Sequence, residues 1–279
     1  MFPGATADCD SASYAVLGAP LDASTSFQPG TRFGPDRVRQ FARPFEDYDQ
    51  HTDQHFADLG VHDHGDVRAW PDAAEYLDYL EGELAAFYDT GTVPLTIGGE
   101  HSVTVAGVRA VEPDVVVSLD AHLDLRDSYD GDELSHACAM RRALETAEEV
   151  VVLGARAGSE AEWERASESD VTVVEPDAVP PWSPAEELAA DDRSVYLSVD
   201  VDVLDPAFAP GTGTPEPFGL DSTTVHDVVR EVAPLAEGFD VVEVNDRDDG
   251  QAASVAAKLL RAFVFANAAG NGEDSTDAI

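Results

Sequence analysis

Short runs of consecutive apolar residues alternate with stretches in which apolar positions recur every three or four residues. The runs are Tyr14 to Gly18, Thr92 to Ile97, Asp114 to Leu119, Glu149 to Gly154, Val171 to Val174, Ser194 to Asp200 and Phe239 to Asn245. Apolar runs of this length suit strands covered on both faces. Between them, Ala74, Leu77, Leu80, Leu84 and Phe87 set a helical spacing over Pro71 to Asp89. Further helices are predicted over Asp36 to Ala42, Val103 to Val111, Ala137 to Thr146, up to Trp163, at Ala185, over Ser222 to Val232 and over Ala252 to Ala266. The alternation predicts an α/β fold of three layers, α/β/α, with a mainly parallel, doubly wound sheet. Asp49 to Asp66 breaks the pattern. It is polar and carries His51, His55, His62 and His64. Without a cysteine partner or a second cluster at zinc-site spacing it reads as a surface loop.

With no repeat and no long linker, the chain is expected to form one domain over residues 1–279, its polar stretch Asn267 to Ile279 frayed. No apolar run is expected to reach the roughly 20 residues of a membrane span. Cys9 and Cys138 suggest no disulfide framework, and a soluble, cytoplasmic protein is expected. The charge changes the picture of its surroundings. Against 16 basic residues stand 56 acidic ones, a formal net charge of -40, which disfavours nucleic acid and anionic membrane as partners. The acids are scattered, and the only lysine is Lys258. An acidic shell over an apolar core suits high salt, where screening suppresses self-repulsion.

Candidate chemistry gathers where apolar runs end. Asp120, His122 and Asp124 alternate after Val115 to Val117, so in extended backbone they face one way. Asp200 and Asp202 repeat the device, and His101 follows the turn Gly98-Gly99 at a helix start. Two histidines and four aspartates exceed the needs of one ion but suit two that share carboxylates, with Asp120 and Asp200 as the natural bridges. An oxygen-rich set with one imidazole per ion favours two Mn²⁺ per subunit over a structural zinc, although zinc, iron or cobalt could occupy the same donors. Such a pair, about 3.5–4 Å apart, activates water for hydrolysis. Glu243 lies within an apolar run and requires a cationic partner, an arginine of the protein or a ligand. The Pro- and Gly-rich loop Pro210 to Pro217 is placed to position Glu216 at a rim.

Gly98-Gly-Glu-His-Ser102, Asp120-Ala-His-Leu-Asp124 and Ser198-Val-Asp-Val-Asp-Val-Leu-Asp-Pro206, followed by Gly211-Thr-Gly-Thr-Pro-Glu-Pro217, resemble the signatures of the ureohydrolases, the arginase and agmatinase family. The likeness extends to Pro29-Gly-Thr-Arg-Phe-Gly-Pro35 and Val242-Glu-Val-Asn245 and implies an arginase-like fold. By that resemblance His101, Asp120, Asp124 and Asp200 hold one manganese, and His122, Asp120, Asp200 and Asp202 the other. A metal-bridging hydroxide, hydrogen-bonded by Asp124, attacks the guanidinium carbon. Glu243 pairs with the guanidinium, and His136 passes a proton to the departing amine. Ala137, Phe218 and Asp246 depart from the family pattern, which has glycine, glycine and proline there.

The segments that hold the amino acid end of the substrate in arginases are not matched by Leu125-Arg126-Asp127 or Ala155-Arg156-Ala157-Gly158, whereas Thr214-Pro-Glu-Pro217 resembles agmatinases. Hydrolysis of agmatine to putrescine and urea is therefore the expected reaction. Guanidinobutyrate is the rival substrate, since Arg126 could meet its carboxylate; formiminoglutamate and aminopropyl-agmatine are further alternatives. A non-catalytic metal-binding protein does not need His136 and Glu243, and a deacylase of the histone-deacetylase type does not need His101 and Asp202. The family implies a homo-oligomer, a trimer or hexamer.

Overall fold

The structure is a computed structural model and describes residues 1–68, 70–180, 182–184, 188 and 193–273. Ten strands are formed among the described residues: β1 (Tyr14–Ala19), β2 (Tyr48–Asp49), β3 (Gln54–His55), β4 (Val61–Asp66), β5 (Val93–Gly98), β6 (Val115–Leu119), β7 (Glu149–Leu153), β8 (Val171–Val174), β9 (Val195–Asp200) and β10 (Ala236–Val242). The helices are α1 (Gly34–Phe41), α2 (Ala73–Tyr88), α3 (Val103–Val111), α4 (Ala139–Ala143), α5 (Glu160–Arg165), α6 (Ser222–Val232) and α7 (Gln251–Glu273). The helix predicted at Ala185 lies outside the described residues.

Eight strands form one sheet in the order β4-β1-β5-β10-β9-β6-β7-β8. Every pairing in it is parallel. The unbroken apolar runs have their expected cause. Val115 and Val117 join the cluster with α1, α6 and α7, whereas Val116 joins the one with α3 and α4 on the other face. The expected three-layer, doubly wound α/β/α architecture is what forms. Although β5 and β6 follow one another in sequence, β10 and β9 lie between them. Four central strands therefore present their carboxyl ends side by side, where open α/β sheets build their sites.

Three expectations need correction. Asp49 to Asp66 is not wholly loop: it contains the β2–β3 hairpin and the edge strand β4. An edge strand is flanked on one side only, so the sequence Val61-His-Asp-His-Gly-Asp66 needs no apolar run. The tail does not fray from Asn267, because α7 continues to Glu273. Asn267 is buried, accepts from the Tyr14 hydroxyl at 2.8 Å and donates to the Ala233 and Ala236 carbonyls. Finally, Gln251–Asn271 does have the length and apolarity of a membrane span, with a mean hydropathy of 1.3. Its window is 72% buried, the apolar surface being used against β10, α1 and α6.

Candidate metal centre and active-site cleft

Each of the four central strands delivers an ionisable side chain. After β5, Gly99 turns the chain with φ +26°, and a Cβ there would lie 2.3 Å from the Ala19 carbonyl oxygen. That turn starts α3 with His101 buried beneath the sheet ends. Asp120 and Asp124 follow β6, Asp200 ends β9 and Glu243 follows β10. Asp124 and Glu243 both have left-handed backbone, at φ 50° and 61°. For residues with a Cβ this conformation is costly and is held only by the surrounding structure.

The predicted ligands converge. His101 Nδ1 lies 2.9 Å from Asp124 Oδ2, 3.1 Å from Asp120 Oδ2 and 3.7 Å from Asp200 Oδ2. His122 Nδ1 lies 3.0 Å from Asp202 Oδ2 and 3.6 Å from Asp120 Oδ1. Two groups with metal-binding spacing result, His101 with Asp120 and Asp200, and Asp120 with His122 and Asp202. Asp120 is common to both. Asp200 belongs to the first, and its Oδ1 accepts the Asp202 amide at 2.8 Å.

Whether a cation suits these donors is decided by their electrostatics. Burial alone would strip the proton from His101, yet the hydrogen bonds and charges of Asp120 and Asp124 hold its pKa well above the usual range. His122, also opposed by burial, is pushed up to about 12 by Asp202 and Asp120. Burial followed by the Asp120 charge raises Asp124 to about 6. Burial, with Asp202, Asp120 and Glu243 behind it, raises Asp200 well above the carboxylate range. Asp120 Oδ2 is buried, and its one close neighbour, His101 Nδ1 at 3.1 Å, is not aligned for a full hydrogen bond. The cluster is short of positive charge, and oxygen-rich donors of this kind fit divalent ions such as Mn²⁺.

A cleft of about 340 Å³ opens over the cluster, lined by His122, Asp124, Asp200 and His136 at its floor and by Arg126, Tyr129, Glu162 and Glu216 farther out. Glu243 lies 3.8 Å from His136 through Oε1 and Nδ1, and its Oε1 also accepts the His101 amide at 2.9 Å. Of the eight residues predicted for the centre, His122, Asp124, Asp200 and His136 line the cleft, and His101, Asp120, Asp202 and Glu243 lie directly against these. The family model for the Arginase family matches residues 12–266. The chain belongs to the arginase family. It is 37% identical to an agmatinase of Pyrococcus horikoshii over 91% of this chain and 92% of that protein. It is 35% identical to a guanidinobutyrase of Pseudomonas aeruginosa, covering 91% and 86%. The solved structure of an agmatine ureohydrolase of Thermoplasma volcanium superposes with a TM-score of 0.91 at 33% identity, covering 100% of this chain and 96% of that one. As an arginase-family protein with agmatinase relatives, the chain is a ureohydrolase-type enzyme.

Against this family background, several residues stand out that sequence reasoning passed over. His101 Nε2 lies 3.2 Å from Ser198 Oγ, which donates at 2.6 Å to the buried carboxylate of Asp240. Ser198 gives its one proton to Asp240, so Nε2 is the protonated nitrogen and donates to Ser198; this orients the ring with Nδ1 toward the aspartates. The burial argument applied to Glu243 holds equally for Asp240, three residues earlier on β10. Glu100, fully buried, accepts from the amides of Ala23 and Ser24 and the hydroxyls of Ser24 and Ser102. Ser24 in turn accepts the His136 amide at 2.8 Å, so Glu100 ties the Ala19 to Pro35 loop to His136. Of the three departures from the family pattern, Ala137 lines the cleft, Phe218 is 87% exposed and Asp246 pairs with Arg37 at 2.6 Å. Only the first touches the cleft.

Proposed function

We propose that the chain hydrolyses agmatine to putrescine and urea, with two Mn²⁺ held by His101, Asp120, Asp124, Asp200, His122 and Asp202. The observation that carries this reading is the convergence of two His/Asp groups on a shared Asp120, beside a cleft lined by His136, with Glu243 3.8 Å behind that histidine. When bound, the ions supply polarisation and an activated water for attack on a guanidinium carbon. Glu243 binds the guanidinium. Its Oε1 is held by the His101 amide, and at its Oε2 Gly213 leaves room, since a Cβ there would come within 3.3 Å. Pairing with a cation also relieves the burial that raises its carboxyl well above the usual range.

His136 suits proton transfer. Burial lowers its pKa, so the ring is neutral near pH 7. Its Nε2 lies 3.2 Å from Ser26 Oγ. With Nε2 donating to that hydroxyl, Nδ1, on the Glu243 side, is free to take a proton and hand it to the departing amine.

The outer cleft favours an ammonium over a carboxylate. Arg126, the residue that could meet guanidinobutyrate, is engaged: it pairs with Glu162 at 3.1 Å and lies 5.1 Å from the Tyr129 ring centroid. Glu162 is buried and also takes the Ser159 amide and hydroxyl, which holds the pair in place. Glu216 lines the same cleft, its carbonyl fixed by Arg156 at 2.8 Å. A neutralised arginine beside a carboxylate suits the primary ammonium of agmatine.

Urea release measured side by side in high salt with Mn²⁺ tests the reading. Agmatine is expected to give most urea, with guanidinobutyrate and arginine well below it. Urea mainly from guanidinobutyrate would overturn the substrate, and none from any guanidino compound would overturn the reaction.

A further inference from the structure

Two of the four histidines set aside as surface residues face a partner that their local sequence does not contain. His62 and His64 alternate on the edge strand β4, and their ring centroids lie 5.9 Å apart. The N-terminal segment runs alongside this strand, fixed by the Ala7 amide donating to the Val61 carbonyl at 3.0 Å. It then enters a short 3₁₀ turn, Cys9–Ser11. The outcome is that Cys9, His62 and His64 each offer a ligand atom, all within 4.8 Å of one another.

We propose that Cys9, His62 and His64 form a second metal site, for a borderline ion of the zinc class, independent of the manganese centre. Three observations support it. The donors are a thiol and two imidazoles, a set that selects zinc or cobalt, whereas carboxylates suit manganese. His62 Nδ1 donates to the Ala7 carbonyl at 3.0 Å, which leaves the lone pair on Nε2. A backbone carbonyl holding the second nitrogen is the usual support of a ligating histidine. Both rings rest against Phe87, His64 edge-on at 5.3 Å and His62 at 6.4 Å, so their directions are set before an ion arrives. Glu83 Oε2, 3.8 Å from His64 Nε2, adds negative charge beside the cluster.

Cys9 and His64 are exposed and His62 is half-buried, so the ion keeps a position open to solvent. Binding there would fasten the N-terminal segment to the sheet edge and cover backbone groups that an edge strand otherwise leaves open. It would also stabilise the fold when zinc is present, because the unfolded chain does not hold these donors together.

The test uses the untagged full chain, reduced, in high salt and loaded with Mn²⁺, titrated with Co²⁺. A thiolate-to-cobalt charge-transfer absorption should appear and saturate at one equivalent. The carboxylate centre contains no sulfur and cannot produce it. Cys9→Ser should abolish the absorption, Cys138→Ser should keep it, and His62→Gln and His64→Gln should each weaken cobalt affinity about tenfold or more. The proposal is overturned by a wild-type chain without the absorption, by its survival in Cys9→Ser, or by unchanged affinity in both histidine variants.

Discussion

The carboxylate cluster at the ends of β5, β6 and β9 and the thiol-imidazole cluster on the edge strand β4 both rely on paired histidines, in opposite surroundings. His101, Asp120, Asp200 and Asp202 are buried, and Ser198 with Asp240 fixes the His101 ring from behind. At the β4 edge Cys9 and His64 are exposed and His62 is half-buried, and a backbone carbonyl with Phe87 holds the rings. Burial makes the first cluster depend on positive charge, since its carboxylates repel one another in a poorly solvated place. Solvent relieves the second of any such need. Losing the ions should therefore cost the first region its chemistry and part of its order, and cost the second only a staple.

The largest expected break comes from Asp120→Asn. It removes charge from the one residue common to both His/Asp groups, and urea release should fall by about a thousandfold or more. A variant within tenfold of wild type would show that the two groups do not act as one centre. His136→Asn should sharpen the contrast by separating chemistry from metal binding: full metal content with a rate lowered about a hundredfold or more, roughly the worth of one positioned proton-transfer group. Metal loss in that variant would place His136 among the ligands.

How far the two regions were legible in the sequence differs for a physical reason. Asp120, His122, Asp124, Asp200 and Asp202 alternate directly after apolar runs, which marks them as one group, although Asp124 reaches the centre through left-handed backbone and Asp202 from a 3₁₀ turn rather than from an extended strand. The burial cost of Glu243 announced a cation. By contrast, Cys9 reaches His62 only through the pairing of the N-terminal segment with β4, and β4 itself escaped notice because an edge strand carries no apolar run. The Arg126–Glu162 pair was hidden in the same way. The two residues lie on separate segments, and only the fold shows that Arg126 is occupied.

A smaller effect concerns the outer cleft. Glu162→Gln frees Arg126 of its partner, and the preference for agmatine over guanidinobutyrate should fall by about tenfold, in line with the worth of one charge-assisted pair. An unchanged ratio would remove Arg126 from substrate selection. The smallest effect concerns the sheet edge. Asp63, between His62 and His64, takes two hydrogen bonds from the buried Arg39 at 2.8 and 2.9 Å. Burial pushes its carboxyl up, but Arg39 outweighs this and holds the pKa below its ordinary 3.8. Stability from the pair is thus complete above the unfolded value and is lost as pH falls below about 4 toward the depressed folded value. Asp63→Asn should cost roughly 2 kcal/mol at neutral pH and lessen that acid dependence, as followed by denaturant midpoints. Equal midpoints for the two proteins would show that Arg39 leans on Asp66 instead.

The most direct measurement is manganese content per chain after loading and exhaustive dialysis in high salt, for the wild type and for Asp120→Asn. Two ions in the wild type and none retained by the variant are predicted, since both groups share Asp120. Two ions in both proteins would contradict the shared centre on which the account rests.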